Sequence, residues 1–313
     1  MRPRLRWIFP VLAVLTLAGA TCEAPVKKAP PKDTPPAEDP CPPAPPANDI
    51  GPINFEPPTY ALGDIDGQDG WSATEANGFD YDQEVVENSA FPGAGADCFG
   101  SQSWRDSNAV TGTSFGDQPI TPSLPDDAGE TDASSDPLPP GDPLSDGPTQ
   151  PFFEAVWQFA SAVPDAEQAG LVLNVSPTRG DESRASLLRL EDKPDGLQVV
   201  FFDVQGTATT ANFVATTVAT GLDRSVPHTI RLEMEFVDGP SNDIVRVFVD
   251  GTLVHTGTSF ENYFRFDLEA IAEPFPRTVD SILFHNRGTQ VQANAGKGFL
   301  IENVTLGSGA VPT

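Results

Sequence analysis

The chain has 313 residues and sets 45 Asp and Glu against 18 Lys and Arg, a formal net charge of −27. That balance argues against nucleic acid and anionic membrane surfaces as partners, because both are bound through a basic face. With 33 Pro and 27 Gly beside 38% hydrophobic residues, the chain is neither collagen-like nor wholly disordered.

Arg2, Arg4 and Arg6 precede an apolar run over residues 7–17. The run is too short for a bilayer span, which takes about 20 residues, and fits the apolar region of an export signal over residues 1–22. Two processing routes stay open. Ala18-Gly19-Ala20 is a small-x-small cleavage site that releases a soluble protein. Alternatively Cys22 is the lipid-accepting cysteine of a bacterial lipoprotein, a signal that Gly19-Ala20-Thr21 resembles, although Gly19 stands where Leu is usual. Parity bears on the choice: with Cys22 lipidated, Cys41 and Cys98 remain as an even pair, able to form a disulfide in an oxidising compartment. The expected location is extracellular or on the outer cell surface.

Residues 23–52 hold eleven Pro and almost no large apolar side chains, the composition of a disordered, semi-rigid spacer of polyproline type. Ordered sequence is expected from about residue 53, as one domain over 53–313. Short strands follow, predicted at 79–88, 101–110, 152–160, 170–176, 185–190, 197–204, 211–217, 228–237, 244–249, 252–256, 281–286 and 299–306, separated by clusters of Gly, Pro, Asp and Asn. Asp250-Gly251 between apolar runs predicts a two-residue hairpin turn, since both positions need positive φ. Lys193-Pro194-Asp195-Gly196 predicts a second turn. Residues 229–236 alternate strictly: Ile230, Leu232, Met234 and Phe236 take one face, while Arg231, Glu233 and Glu235 take the other. This is a strand with one buried side. No window of twelve residues carries a helical period, so the fold class is all-β, a two-sheet antiparallel sandwich of jelly-roll type.

One segment departs from this rhythm. Residues 111–151 hold eight acids, and no Lys or Arg occurs between Arg105 and Arg179. The expectation is an acidic Pro/Gly-rich loop at about 121–150, disordered over 125–149, with order kept over 113–120.

Gly67-Gln68-Asp69-Gly70-Trp71 resembles the Q-x-G-W opening of concanavalin A-like (laminin-G-like) jelly-roll domains in exported bacterial proteins. The runs Asp243-Ile244-Val245-Arg246-Val247-Phe248-Val249-Asp250-Gly251 and His255-Thr256-Gly257-Thr258-Ser259-Phe260-Glu261-Asn262-Tyr263 resemble them too, as does the closing Gly298-Phe299-Leu300-Ile301-Glu302-Asn303-Val304. The resemblance spans about residues 55–308. It implies the fold; function stays open, because lectins, adhesion modules, glucanases and lyases share that architecture.

Each candidate site has a plain structural counterpart. Asp64, Asp66 and Asp69 are clustered carboxylates on a turn, the donor type that calcium takes, although the spacing departs from an EF-hand and an acidic turn accounts for them equally. Asp80 and Asp82 are a second possible ligand pair. Calcium is the candidate cofactor. Glu233 and Glu235 share a strand face, as the paired carboxylates of laminarinase-type glucanases do, but the Glu-x-Asp-x-x-Glu motif is broken and a solvated face beside Arg231 is the alternative. For a lyase, His255, Tyr263, Arg265, His285 and Arg287 have the right side-chain types without a local signature. Trp104, Arg105, Asn262 and Tyr263 are candidate ligand-binding residues, since exposed rings stack on sugar faces while polar neighbours bond the hydroxyls. Trp71 and Trp157 are read as core. The resulting expectation is a non-catalytic binder of a polysaccharide or cell-surface glycan. A polysaccharide hydrolase or lyase, and a purely structural envelope protein, are the alternatives.

Overall fold

The computed structural model of the chain describes residues 41–45, 48–73, 82–111, 119–131, 149–179, 184–272, 277–286 and 289–312. Eighteen strands are described, and the long ones fall on strand segments predicted from the sequence. In chain order they are β1 (Ile50–Ile53), β2 (Gly63–Asp64), β3 (Ser72–Ala73), β4 (Gln83–Glu87), β5 (Gln102–Asp106), β6 (Pro119–Ile120), β7 (Ala128–Gly129), β8 (Phe152–Ser161) and β9 (Val172–Thr178). Then follow β10 (Leu187–Lys193), β11 (Gly196–Gln205), β12 (Asn212–Leu222), β13 (His228–Glu235), β14 (Ile244–Val249), β15 (Thr252–Gly257), β16 (Thr278–Val279), β17 (Ser281–His285) and β18 (Phe299–Gly309). Two short helices, α1 (Glu261–Phe266) and α2 (Leu268–Ala272), lie between β15 and β16.

The strands form two large antiparallel sheets that face each other. One has nine strands in the order β15-β14-β13-β8-β18-β5-β4-β2, with β1 also paired to β18; the other has seven, β12-β11-β10-β9-β17-β6-β3. Between them lies one apolar core. Phe153 and Trp157 of β8, Leu232 of β13 and Ile301 of β18 meet Leu188 and Leu190 of β10, Phe201 of β11 and Phe284 of β17, all fully buried. Phe284 sits edge-on to Trp104 at 4.8 Å between ring centroids, and Trp71 lies 5.6 Å from Trp104. The alternation read over 229–236 is realised, with Ile230, Leu232, Met234 and Phe236 buried in the core. Asp250 and Gly251 take φ of 49° and 76°, as the predicted hairpin turn between β14 and β15 requires.

Two boundaries differ from the sequence expectation. The Pro-rich segment does not give way to ordered chain at residue 53: Ile50 and Ile53 pair with Leu306 and Val304 of β18. Just before them, the Pro43 carbonyl accepts a hydrogen bond from Gln158 Nε2 at 2.8 Å, and Cys41 forms a disulfide with Cys98. The acidic loop is ordered at its start, where Asp127, Ala128 and Glu130 are buried and β7 pairs with β16. The cause is charge: Arg277, 147 residues away, donates to Glu130 at 2.8 Å. Residues 113–118 and 132–148 of that region lie outside the described residues, as do Cys22, Asp80 and Arg287.

Candidate functional site

After β15 the chain leaves the nine-stranded sheet and folds back across the start of β12, the edge strand of the other sheet. Local hydrogen bonds fix this path. Ser259 Oγ donates to Asp243 Oδ2 at 2.5 Å and accepts from the Glu261 N–H at 3.0 Å. The Glu261 carboxylate accepts the backbone N–H groups of Asn242 (2.6 Å) and Asp243 (3.0 Å). Asp267 caps the next helix through the Glu269 N–H at 2.8 Å and also accepts from the Ala211 N–H at 2.5 Å. With the Leu268 N–H donating to the Thr209 carbonyl, α1 and α2 are held against the entry to β12.

This arrangement gathers four aromatic rings. Phe213 of β12 lies 5.1 Å from Phe260 at an interplanar angle of 84° and 5.7 Å from Tyr263 at 53°; Tyr263 lies 5.3 Å from Phe264. Phe260 is buried, Tyr263 and Phe264 are half-buried, and Phe213 is 48% exposed. Leu268 and Ile271 of α2 are also exposed. Burial, then the Glu269 and Asp267 carboxylates, push the Tyr263 hydroxyl up to about 12, so it is a neutral hydrogen-bonding group at any ordinary pH.

A buried ionic network involves the same helix. Arg265 of α1 pairs with Glu130, which also accepts from Arg277 and from the Gly239 N–H at 3.0 Å. Glu130, Asp243 and Glu261 each place a carboxylate oxygen within 4.8 Å of the other two. Desolvation by burial raises Glu130, and it lifts Asp243 to about 7 despite its bonds from Ser259 and Val237. The carboxylates are answered by two guanidinium groups, backbone N–H groups and a hydroxyl, which makes the network a fastening of three loops. Glu130, Asp243 and Arg277 were not among the sequence's candidate site residues: Glu130 meets Arg265 and Arg277 across 135 and 147 residues, whereas Asp243 is held by Ser259, Val237 and Glu261 within 18 residues, in a run that reads as an ordinary strand entry.

Several sequence expectations are corrected by burial. Trp104 is 0% exposed and lies between the sheets, so it offers no ring face to a ligand. Arg105 is buried in an ion pair with Asp82, which also accepts from Ser107 at 2.5 Å. Asn262 is buried, its Oδ1 accepting from Ser241 at 3.1 Å. Of the proposed binding residues, Tyr263 alone reaches a surface ring cluster. The turn acids also do not converge. Asp64 accepts the Asp66 N–H, Asp66 the Ala73 N–H and Asp69 the Tyr60 hydroxyl. Among the described residues the converging carboxylates are instead Glu130, Asp243 and Glu261.

The catalytic candidates are parcelled into separate pairs. Glu233 pairs with Arg231, and Glu235 with Arg246 at 3.0 Å. His255 lies 3.7 Å from Asp203 and packs on the Phe201 ring. His285 is buried, its Nδ1 3.2 Å from Arg184. Tyr263 and Arg265 share α1 but point to different partners. One carboxylate pair was missed: Glu154 of β8 stands directly across from Glu233, with Arg231 within 3.7 Å of it. Burial raises Glu154, with the Glu233 charge adding to the shift and Arg231 opposing it.

No protein-family model matches the chain, and no curated protein sequence does. Among solved structures it is similar to an endo-β-1,4-glucuronan lyase from the fungus Trichoderma reesei at 13% identity and TM-score 0.38, covering 77% of this chain and 95% of that one. An alginate lyase from Pseudomonas aeruginosa is similar at 11% identity and TM-score 0.35, covering 66% and 82%. A sialidase shares 10% identity at TM-score 0.38 over 76% of this chain, which spans 17% of the sialidase's length. Likeness at this level carries no conclusion about activity.

Proposed function

We propose that the protein is an exported, non-catalytic glycan-binding module built on a concanavalin A-like sandwich, and that Phe213, Tyr263 and Phe264 form its contact surface. The observation that carries this reading is the partly exposed ring cluster at the edge of β12, while Glu233, Glu235, His255 and His285 are each held by their own partners elsewhere. Sugar rings present apolar C–H faces that pack on aromatic side chains, while a neutral phenol and nearby carboxylates accept and donate to hydroxyls. Covering about 80 Å² of ring surface is worth roughly 2 kcal/mol before the cost of association. Contact with a single sugar is therefore weak, and a polymer with repeated units is the suitable ligand. The Cys41–Cys98 disulfide supports export, since such bonds persist in oxidising compartments.

A hydrolase is the second reading, favoured by Glu154 opposite Glu233. The discriminating experiment incubates the full chain with a panel of polysaccharides and follows both retention and the release of reducing or unsaturated ends. Retention without release supports the binding module. Release that Glu154→Gln abolishes would replace it with the enzyme.

A further inference from the structure

We infer that the glycan taken by the Phe213–Tyr263 patch is neutral, not a polyuronate or other acidic polysaccharide; this rests on the glycan-binding reading above. A sugar carboxylate in a protein site is ordinarily met by a guanidinium or ammonium group, which supplies the charge and the paired donors. Among the described residues every arginine is already partnered. Those on or near the helix of Tyr263 are held by a buried acid: Arg265 and Arg277 both pair with Glu130. On the sheet that β12 edges, Arg189 lies beside Glu191, and Lys193 reaches the same carboxylate at 2.8 Å. Lys297 donates to the Ala293 carbonyl and sits where Phe299 pairs with Ser161, the end of β8 opposite to the one from which the chain runs into α1.

What flanks the patch is negative. Glu269 is exposed and hydrogen-bonds Tyr263, and Asp267 lies at the junction of the two helices. The whole chain carries −27. A polyanion would approach a field of its own sign with no unpaired cation among the described residues beside the patch, a repulsion that reaches about 30 Å at low salt and about 3 Å at 1 M. A neutral polysaccharide meets no such barrier, and its hydroxyls find an acceptor in Glu269.

The test measures binding of the full chain to a soluble neutral β-glucan, a neutral xylan, alginate and polygalacturonate at about 20 mM and about 500 mM salt, a span over which the screening length falls severalfold. The expected result is binding to a neutral polysaccharide with an affinity that salt leaves unchanged, and at least about tenfold weaker binding of both uronates at the lower salt. Glu269→Gln, which keeps a hydrogen-bonding group beside Tyr263, should strengthen any residual uronate binding by about two- to fivefold. A uronate that binds as tightly as the neutral polymers, with an affinity that falls as salt rises, would overturn the inference while leaving glycan binding intact. Retention of none of the four would overturn the glycan-binding reading and the inference together.

Discussion

At the residue scale, burial decides what each polar side chain can do, and two groups make that measurable. Glu302 of β18 is fully buried, its Oε1 has no hydrogen-bond partner, and burial lifts it to about 9. An acid whose folded pKa lies above its unfolded value binds more protons folded than unfolded, so its contribution weakens stability as pH rises from about 4.5 to about 9. Glu302→Gln imitates the protonated form and removes that dependence. Its melting temperature should exceed that of the parent by at least about 3 °C at pH 8 and match it near pH 4. Thermal scans across that range check the sign. Trp104 gives the second case. Trp104→Ala should cost about 3–5 kcal/mol in urea unfolding because the ring is packed against Trp71 and Phe284. In the sequence Trp104 and Tyr263 looked alike as candidate stacking rings. Trp104 is central to the core because its strand β5 lies inside the nine-stranded sheet, a placement set by pairings remote in the chain.

At the element scale, the strands that alternate or run apolar were legible, and the elements held by distant partners were not. The bounds of β13, β14 and β15 were readable to within two residues, because the period of two in β13 and the Asp-Gly turn between β14 and β15 are local signals. Asp250 does more than turn the chain: its carboxylate accepts from the Thr229 N–H at 2.9 Å and meets His228 Nδ1 at 2.8 Å. Gly251→Val places a β-branched residue at φ of 76° and should cost about 1–3 kcal/mol, read as a lower denaturation midpoint at unchanged slope. By contrast α1 and α2, of six and five residues, are too short to show a helical period. Their position depends on Ser259, Asp267 and Glu261 reaching groups outside the helices. The ordered start of the acidic loop was hidden for the same reason: Glu130 gains its cations from Arg265 and Arg277, across well over a hundred residues.

At the scale of the whole molecule, the N-terminal segment is part of the sandwich's fastening. Cys41 and Cys98 close a separation of 57 residues, and the segment after Cys41 donates and accepts along the outer side of β8 and β18. The Cys41–Cys98 pair was legible only on the route that lipidates Cys22, whereas the strand Ile50–Ile53 beside it was hidden by its Pro-rich surroundings. Replacing both cysteines by Ser should lower stability by about 2–4 kcal/mol through the lost constraint on the unfolded chain, measured by urea unfolding under oxidising conditions. Among the described residues the largest rings are buried between the sheets, while Phe213, Tyr263 and Phe264 cluster at an edge, and the proposed function depends on that cluster. The most direct measurement is the affinity of Phe213→Ala for whichever neutral polysaccharide the parent retains, taken together with its melting temperature. Because Phe213 is half exposed and lies outside the main core cluster, at least about a tenfold loss of affinity is expected, with a melting temperature within about 2 °C of the parent. Unchanged affinity in a folded Phe213→Ala protein would contradict it.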